Sequence, residues 1–172
     1  MKATKTWQVA LGGVLAAGSL AVLWLACVVP SGQLGVTAVA GLFPVGAVLA
    51  AGRGAGLLCW AAASILGLLL LPDKGVALMY LVFLGLYPVV KSRLEQMKSR
   101  TAEWAGKLVY FNAALTLLWF AFRELFLPAL PEWMSAQAWV LYLAGNVIFI
   151  LYDIALSRLI GGLNARLRPK GM

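Results

Sequence analysis

The sequence predicts an all-α integral membrane protein, a bundle of six short transmembrane helices. Three observations predict it. Of 172 residues, 63% are hydrophobic and only 12% charged, with a mean hydropathy of +0.91; a soluble domain carries about 25% charged residues. The apolar residues fall in long runs bounded by Pro, Gly and charge, without the alternation of barrel strands. Between two sets of runs lies a polar island, Pro88 to Lys107, which holds Lys91, Arg93, Glu95, Lys98, Arg100, Glu103 and Lys107. Such a stretch cannot sit in hydrocarbon. Little chain is left for a separate soluble domain, so residues 1–172 read as one transmembrane domain.

The first run covers residues 7–29 and ends at Pro30-Ser31-Gly32. With Lys2 and Lys5 before it, it looks like a signal peptide. It is nevertheless long enough to span, since a spanning helix needs roughly 20 apolar residues, and it reads as a retained first helix. The second run, 34–51, ends at Gly52-Arg53-Gly54. The third, 55–71, ends at Pro72-Asp73-Lys74. The fourth, 76–90, leads into the basic loop 91–107. The fifth, 108–127, is closed by Pro128 and Pro131, and the sixth is 136–159. Runs two to four lie near the short limit of a span, and their brief connections allow only antiparallel hairpins. The island reads either as a short amphipathic helix on the membrane surface, with Trp104 and Val109 as its apolar side, or as a solvated connector.

With six spans and the island in the cytoplasm, twelve of the fourteen Lys and Arg fall inside. Only Lys74 and Arg123 fall outside, each next to an acid. That bias is the one the positive-inside rule describes. It places both termini in the cytoplasm and the chain in a bacterial cytoplasmic membrane. The net charge of +8 is thereby loop charge in contact with the lipid bilayer, not a nucleic-acid surface.

Two patterns are candidate sites. On the first helix, Gly13, Ala17 and Ala21 form a small-residue row, with Gly12 and Ala16 beside it. Such rows let helices approach closely, either inside this chain or against a partner. On the fifth helix Asn112, Thr116, Trp119 and Arg123 share one face, and on the sixth Tyr142, Asn146, Phe149 and Asp153 repeat the same offsets. Antiparallel pairing sets Asn112 level with Asp153 and Trp119 level with Asn146. Intramembrane polar residues normally face a bundle interior or cavity. They either bind the two helices together, with Asn112 and Asp153 as a structural pair, or line a small-molecule site of Trp119, Arg123, Asn146, Tyr142 and Thr116.

The architecture resembles the substrate-binding S components of energy-coupling factor (ECF) transporters. The likeness rests on six short helices, cytoplasmic ends, a basic loop between helices four and five, and the row Gly13, Ala17, Ala21. It implies capture of a vitamin-like ligand from outside and docking through that row to an ECF transmembrane subunit driven by two ATPases. The chain lacks the histidines of metal-binding S components. MreD, a cell-shape membrane protein, is similar in size and span count, and implies a scaffold without a ligand. Chemistry is not expected. There is no His, no phosphate loop and no nucleophile paired with a base, and Cys27 and Cys59 stand alone in apolar runs as packing residues. No cofactor or metal site is expected.

Overall fold

The computed structural model describes residues 5–29, 32–126 and 138–167, with side chains omitted at 121–126, 138 and 163–167. It divides into two compact units, residues 1–126 and 127–172, and each is described by itself. Among the described residues all regular structure is helical.

The first unit begins with α1 (Lys5–Val28). Gly12, Ala16, Ser19, Leu23 and Ala26 make its buried face, at the three- and four-residue spacing of one helix side. The second run forms two helices, α2 (Gln33–Ala40) and α3 (Leu42–Ala51), separated at Gly41. α4 (Arg53–Leu70) follows directly. The fourth run is α5 (Lys74–Met79), a π-helical turn at Tyr80–Leu84, and α6 (Tyr87–Leu94). A turn at 95–99 leads to α7 (Arg100–Phe126). The second unit contains α8 (Ala138–Leu167).

The first unit is an antiparallel bundle. At one end the Gln8 amide donates to the Ala51 carbonyl and Arg53 to Gln96. At the other end Gln33 donates to Asp73. There Asp73 caps α5 by accepting from the amides of Gly75 and Val76, and Lys74 donates to the Leu68 and Leu71 carbonyls that close α4. These are the caps that helix ends require. The core between the ends is built of small residues, among them Ala40, Ala47, Ala55, Cys59 and Ala63. Close backbone approach replaces large side chains, as in membrane helix packing. A Cβ at Gly12 would meet the Ala55 carbonyl at 3.2 Å.

Five helical stretches are long and apolar enough to cross a membrane: Lys5–Val28, Gln33–Ala51, Arg53–Leu70, Lys74–Leu94 and Trp139–Gly162. The chain is an all-α, multi-pass membrane protein. In α7 the first two turns carry Arg100, Glu103 and Lys107, and the side chains from Leu108 to Phe120 include no charge. The basic island is smaller than its composition suggests. Helix continues from the fourth run to Leu94 and resumes at Arg100, so 95–99 is the only non-helical part and no separate surface helix forms. The expected sixth run also continues further, through Gly161 and Gly162 to Leu167.

Candidate functional site

The centre of the first unit is a place where two broken helices meet. Pro44 has no N–H to return to the Ala40 carbonyl, so the second run cannot continue as one helix. The Ser19 hydroxyl of α1 donates to that carbonyl instead, at 2.7 Å. In the fourth run Pro88 likewise has no N–H for Leu84, and the chain widens into the π turn, where the Gly85 amide bonds Tyr80 O at 2.8 Å. Gly85 would normally serve Leu81. The Leu81 carbonyl accepts Trp60 Nε1–H of α4 at 2.9 Å, and the Val82 carbonyl accepts the Tyr110 hydroxyl of α7 at 2.8 Å. Around the two breaks the Ala40, Leu81 and Val82 carbonyls thus each accept a side-chain donor from another helix, the kind of partner that irregular backbone requires at membrane depth.

The two breaks touch. Tyr80 Oη lies 2.8 Å from Ser19 Oγ, both buried. Because the single Ser19 proton goes to Ala40, Tyr80 donates to Ser19. Gly41 is required here: a Cβ on it would lie 2.6 Å from the Leu84 carbonyl oxygen. Gly85 is required as well, since its Cβ would meet the Tyr80 ring at 2.7 Å and Trp60 at 2.9 Å. Within the π turn, Phe83 packs against Tyr87 and Phe111 with ring centroids 5.8 and 5.2 Å apart, and Tyr87 stacks on Tyr110 at 5.9 Å. Such aromatic pairs contribute about 0.5–1.5 kcal/mol each beyond their burial. They hold α7 against the break.

A second polar cluster lies toward the basic end. Lys91 is buried, 1% exposed, and its Nζ is 2.8 Å from Glu95 Oε1. Lys107, also buried, is 2.7 Å from Glu103 Oε1 and 3.5 Å from Glu95 Oε1. Its Nζ stands 5.3 Å from the centre of the Trp104 ring. Lone buried ammonium groups are costly, and paired ones much less so. Two of the island's five cations therefore turn inward and join α6 to α7. Composition shows the charges but not this division.

The sequence-derived candidates divide between the units. On α7 Trp119 is buried, and Asn112 and Thr116 are half-buried. Asn112 donates to Leu108 O at 2.9 Å and Thr116 to Asn112 O at 2.7 Å, each four residues back. Arg123 lies on α7, and its side chain is outside the described residues. On α8 Phe149 and Asp153 are buried, 1% and 2% exposed, and Tyr142 and Asn146 are half-buried. Asn146 donates to Tyr142 O at 2.8 Å. Tyr142 and Asn146 also line a shallow, open depression of about 730 Å³, together with Trp139, Leu143, Val147 and Ile150. On α1 Gly12 and Ala16 are buried, whereas Gly13, Ala17 and Ala21 are exposed, and a Cβ at Gly13 would meet nothing within 4 Å.

Sequence reasoning missed Ser19, Trp60, Tyr80 and Tyr110, along with the buried lysines. The available signal was a proline inside each of two apolar runs, Pro44 and Pro88, with Gly41 and Gly85 three residues earlier. Cys27 and Cys59 are free thiols. Among the described residues no three His, Cys, Asp or Glu side chains group closely enough to hold a metal ion. No protein-family description, curated protein or solved structure matches the chain.

Proposed function

We propose that this chain is the substrate-binding subunit of a small-molecule uptake system, of the S-component kind, and has no catalytic activity of its own. The observation that carries the reading is the pair of facing helix breaks, Ala40–Leu42 against Tyr80–Leu84. Transport proteins build their substrate sites where interrupted membrane helices meet. Here each interruption falls near the middle of an apolar run long enough to span. The exposed row Gly13, Ala17 and Ala21 supports docking to a larger membrane subunit, because the internal packing of α1 uses the neighbouring row. Tyr142 and Asn146, the two polar residues of an open and otherwise apolar depression on α8, support contact with a flat, partly polar ligand. From the sequence alone, Arg123 on the fifth run is the candidate for an anionic ligand group. Transport energy would come from two partner ATPases, as the chain carries no phosphate loop. In this reading there are six spans, with both termini and residues 91–107 in the cytoplasm. A cysteine at Ser99 is then shielded from reagents outside intact cells, and one at Ser135 is reached.

Small molecules retained by the purified protein, identified by mass spectrometry, test the function. The expected result is one retained compound, weakened by Asn146→Ala and Arg123→Ala in a folded protein, with two ATPases in the co-purified complex. A scaffold of the MreD type is the second reading. It is favoured by Asn112, Thr116 and Asn146 donating to their own helices, a bond that needs no ligand. A protein that retains nothing and brings down no ATPase overturns the transport reading.

A further inference from the structure

We propose that the turn between α6 and α7, with Arg53 beside it, is a binding surface for anionic phospholipid headgroups. The inference rests on the chain being a membrane protein and is independent of the transport reading. It begins with charge accounting. The stretch 91–107 has two acids, Glu95 and Glu103, and both are engaged by the buried ammonium groups of Lys91 and Lys107. Arg93, Lys98 and Arg100 are exposed, and among the described residues none of them makes an ion pair. Arg53 is exposed too, and it donates to Gln96 Oε1 at 2.7 Å, which draws the start of α4 to the same turn. Four cations thus stand together with no acid left to neutralise them.

Position selects the partner. The four cations lie at the end of α6, the start of α7 and the start of α4, where apolar helices leave hydrocarbon for water. Lipid phosphates occupy that depth. Met97, 47% exposed in the middle of the turn, offers an apolar contact among the charges. Three of the four cations are Arg, whose planar fork matches phosphate oxygens in pairs. The opposite end of the unit differs. Its one cation among the described side chains, Lys74, is engaged by the carbonyls of Leu68 and Leu71.

The test is native mass spectrometry of the full chain in neutral detergent, titrated with phosphatidylglycerol or phosphatidylcholine of the same acyl chains. The anionic phosphatidylglycerol should bind more tightly, and raising the ionic strength should reduce that preference, because added salt screens exposed charge. A basic residue near an anionic surface is worth about fivefold in affinity. The variant R93Q/K98Q/R100Q should therefore lose at least tenfold of the preference, and K74Q should lose none. All three substituted side chains are exposed, and R93Q alone gives a milder version if the triple variant unfolds. Equal binding of the two lipids, or an unchanged preference in the triple variant, overturns the proposal. So does displacement of the lipid by millimolar inorganic phosphate, which would mean a site for a free anion.

Discussion

Ser19 and Thr37 are both buried hydroxyls in the first unit, and the structure gives them different work. Thr37, in the regular part of α2, donates at 2.6 Å to the carbonyl of Gln33, four residues back. In a continuous helix that carbonyl is already served by the Thr37 amide. Ser19, at the break, donates to Ala40 O, whose helical donor was removed by Pro44. The two bonds are alike in length, but only one fills a vacancy. Its worth is set by the second-best partner of the acceptor. Buried beside apolar helices, the Ala40 carbonyl has no water to fall back on. The comparison extends to Trp60 and Tyr110, which serve the π turn, and to Ser92, which bonds Val89 O within α6.

Substitutions at the break should therefore cost more than equivalent ones in the regular turns. The largest effect is expected for Gly41→Leu. Its Cβ alone would sit 2.6 Å from a backbone oxygen that cannot rotate away, so the two breaks must separate. Overpacking costs about 1–3 kcal/mol where neighbours can yield, and here the loss should reach or exceed the upper figure. Reversible unfolding in mixed micelles measures it. Ser19→Ala should follow, destabilising by roughly 1–3 kcal/mol because a buried acceptor loses its donor. Trp60→Phe should fall in the same range for Leu81 O, with faster amide hydrogen exchange at Gly85 as a local readout. Thr37→Val should change stability by less than about 0.5 kcal/mol, within the range of neutral substitutions. If Thr37→Val costs as much as Ser19→Ala, the argument from missing donors is wrong and burial alone decides. The smallest effect on the isolated protein is expected for Ala17→Leu, on the exposed row of α1. It should leave the unfolding curve unchanged while removing any co-purified membrane partner. A destabilised Ala17→Leu protein would show that the row is already filled within the chain.

Much of the fold was legible because membrane insertion depends on composition more than on partner identity. The apolar runs locate the five spanning stretches to within a few residues, and the charges cluster at one end of the first unit. The breaks were less legible. A sum of apolar residues treats Pro44 and Pro88 as small losses of hydropathy, whereas each deletes one backbone donor at a fixed place. The side chains that serve the backbone around the breaks, Ser19, Trp60 and Tyr110, are remote in sequence and ordinary in type. The basic island misled in the opposite direction. Seven charges in a short stretch suggest solvent, yet Lys91 and Lys107 are buried because Glu95 and Glu103 fall at helical spacing from them. The row on α1 could be read from spacing, but not which of its two neighbouring files would be free. That choice is made by the residues of α4 that approach Gly12 and leave Gly13 open.

The buried pair of lysines also marks time during biosynthesis. When α5 and α6 first leave the insertion machinery, α3 and α4 are there to pack on α6, but α7 has not yet been made. Lys107 arrives with the next hairpin arm. An amine-reactive acylating reagent applied to stalled chains of increasing length would meet Lys91 as an open nucleophile early and a closed one later, while Lys98 stays reactive throughout. Protection gained before α7 emerges would date the packing of α6 on α3 and α4, and protection gained only afterwards would date the closure of α7 onto α6, so one ordinary lysine provides a clock for the assembly of the bundle.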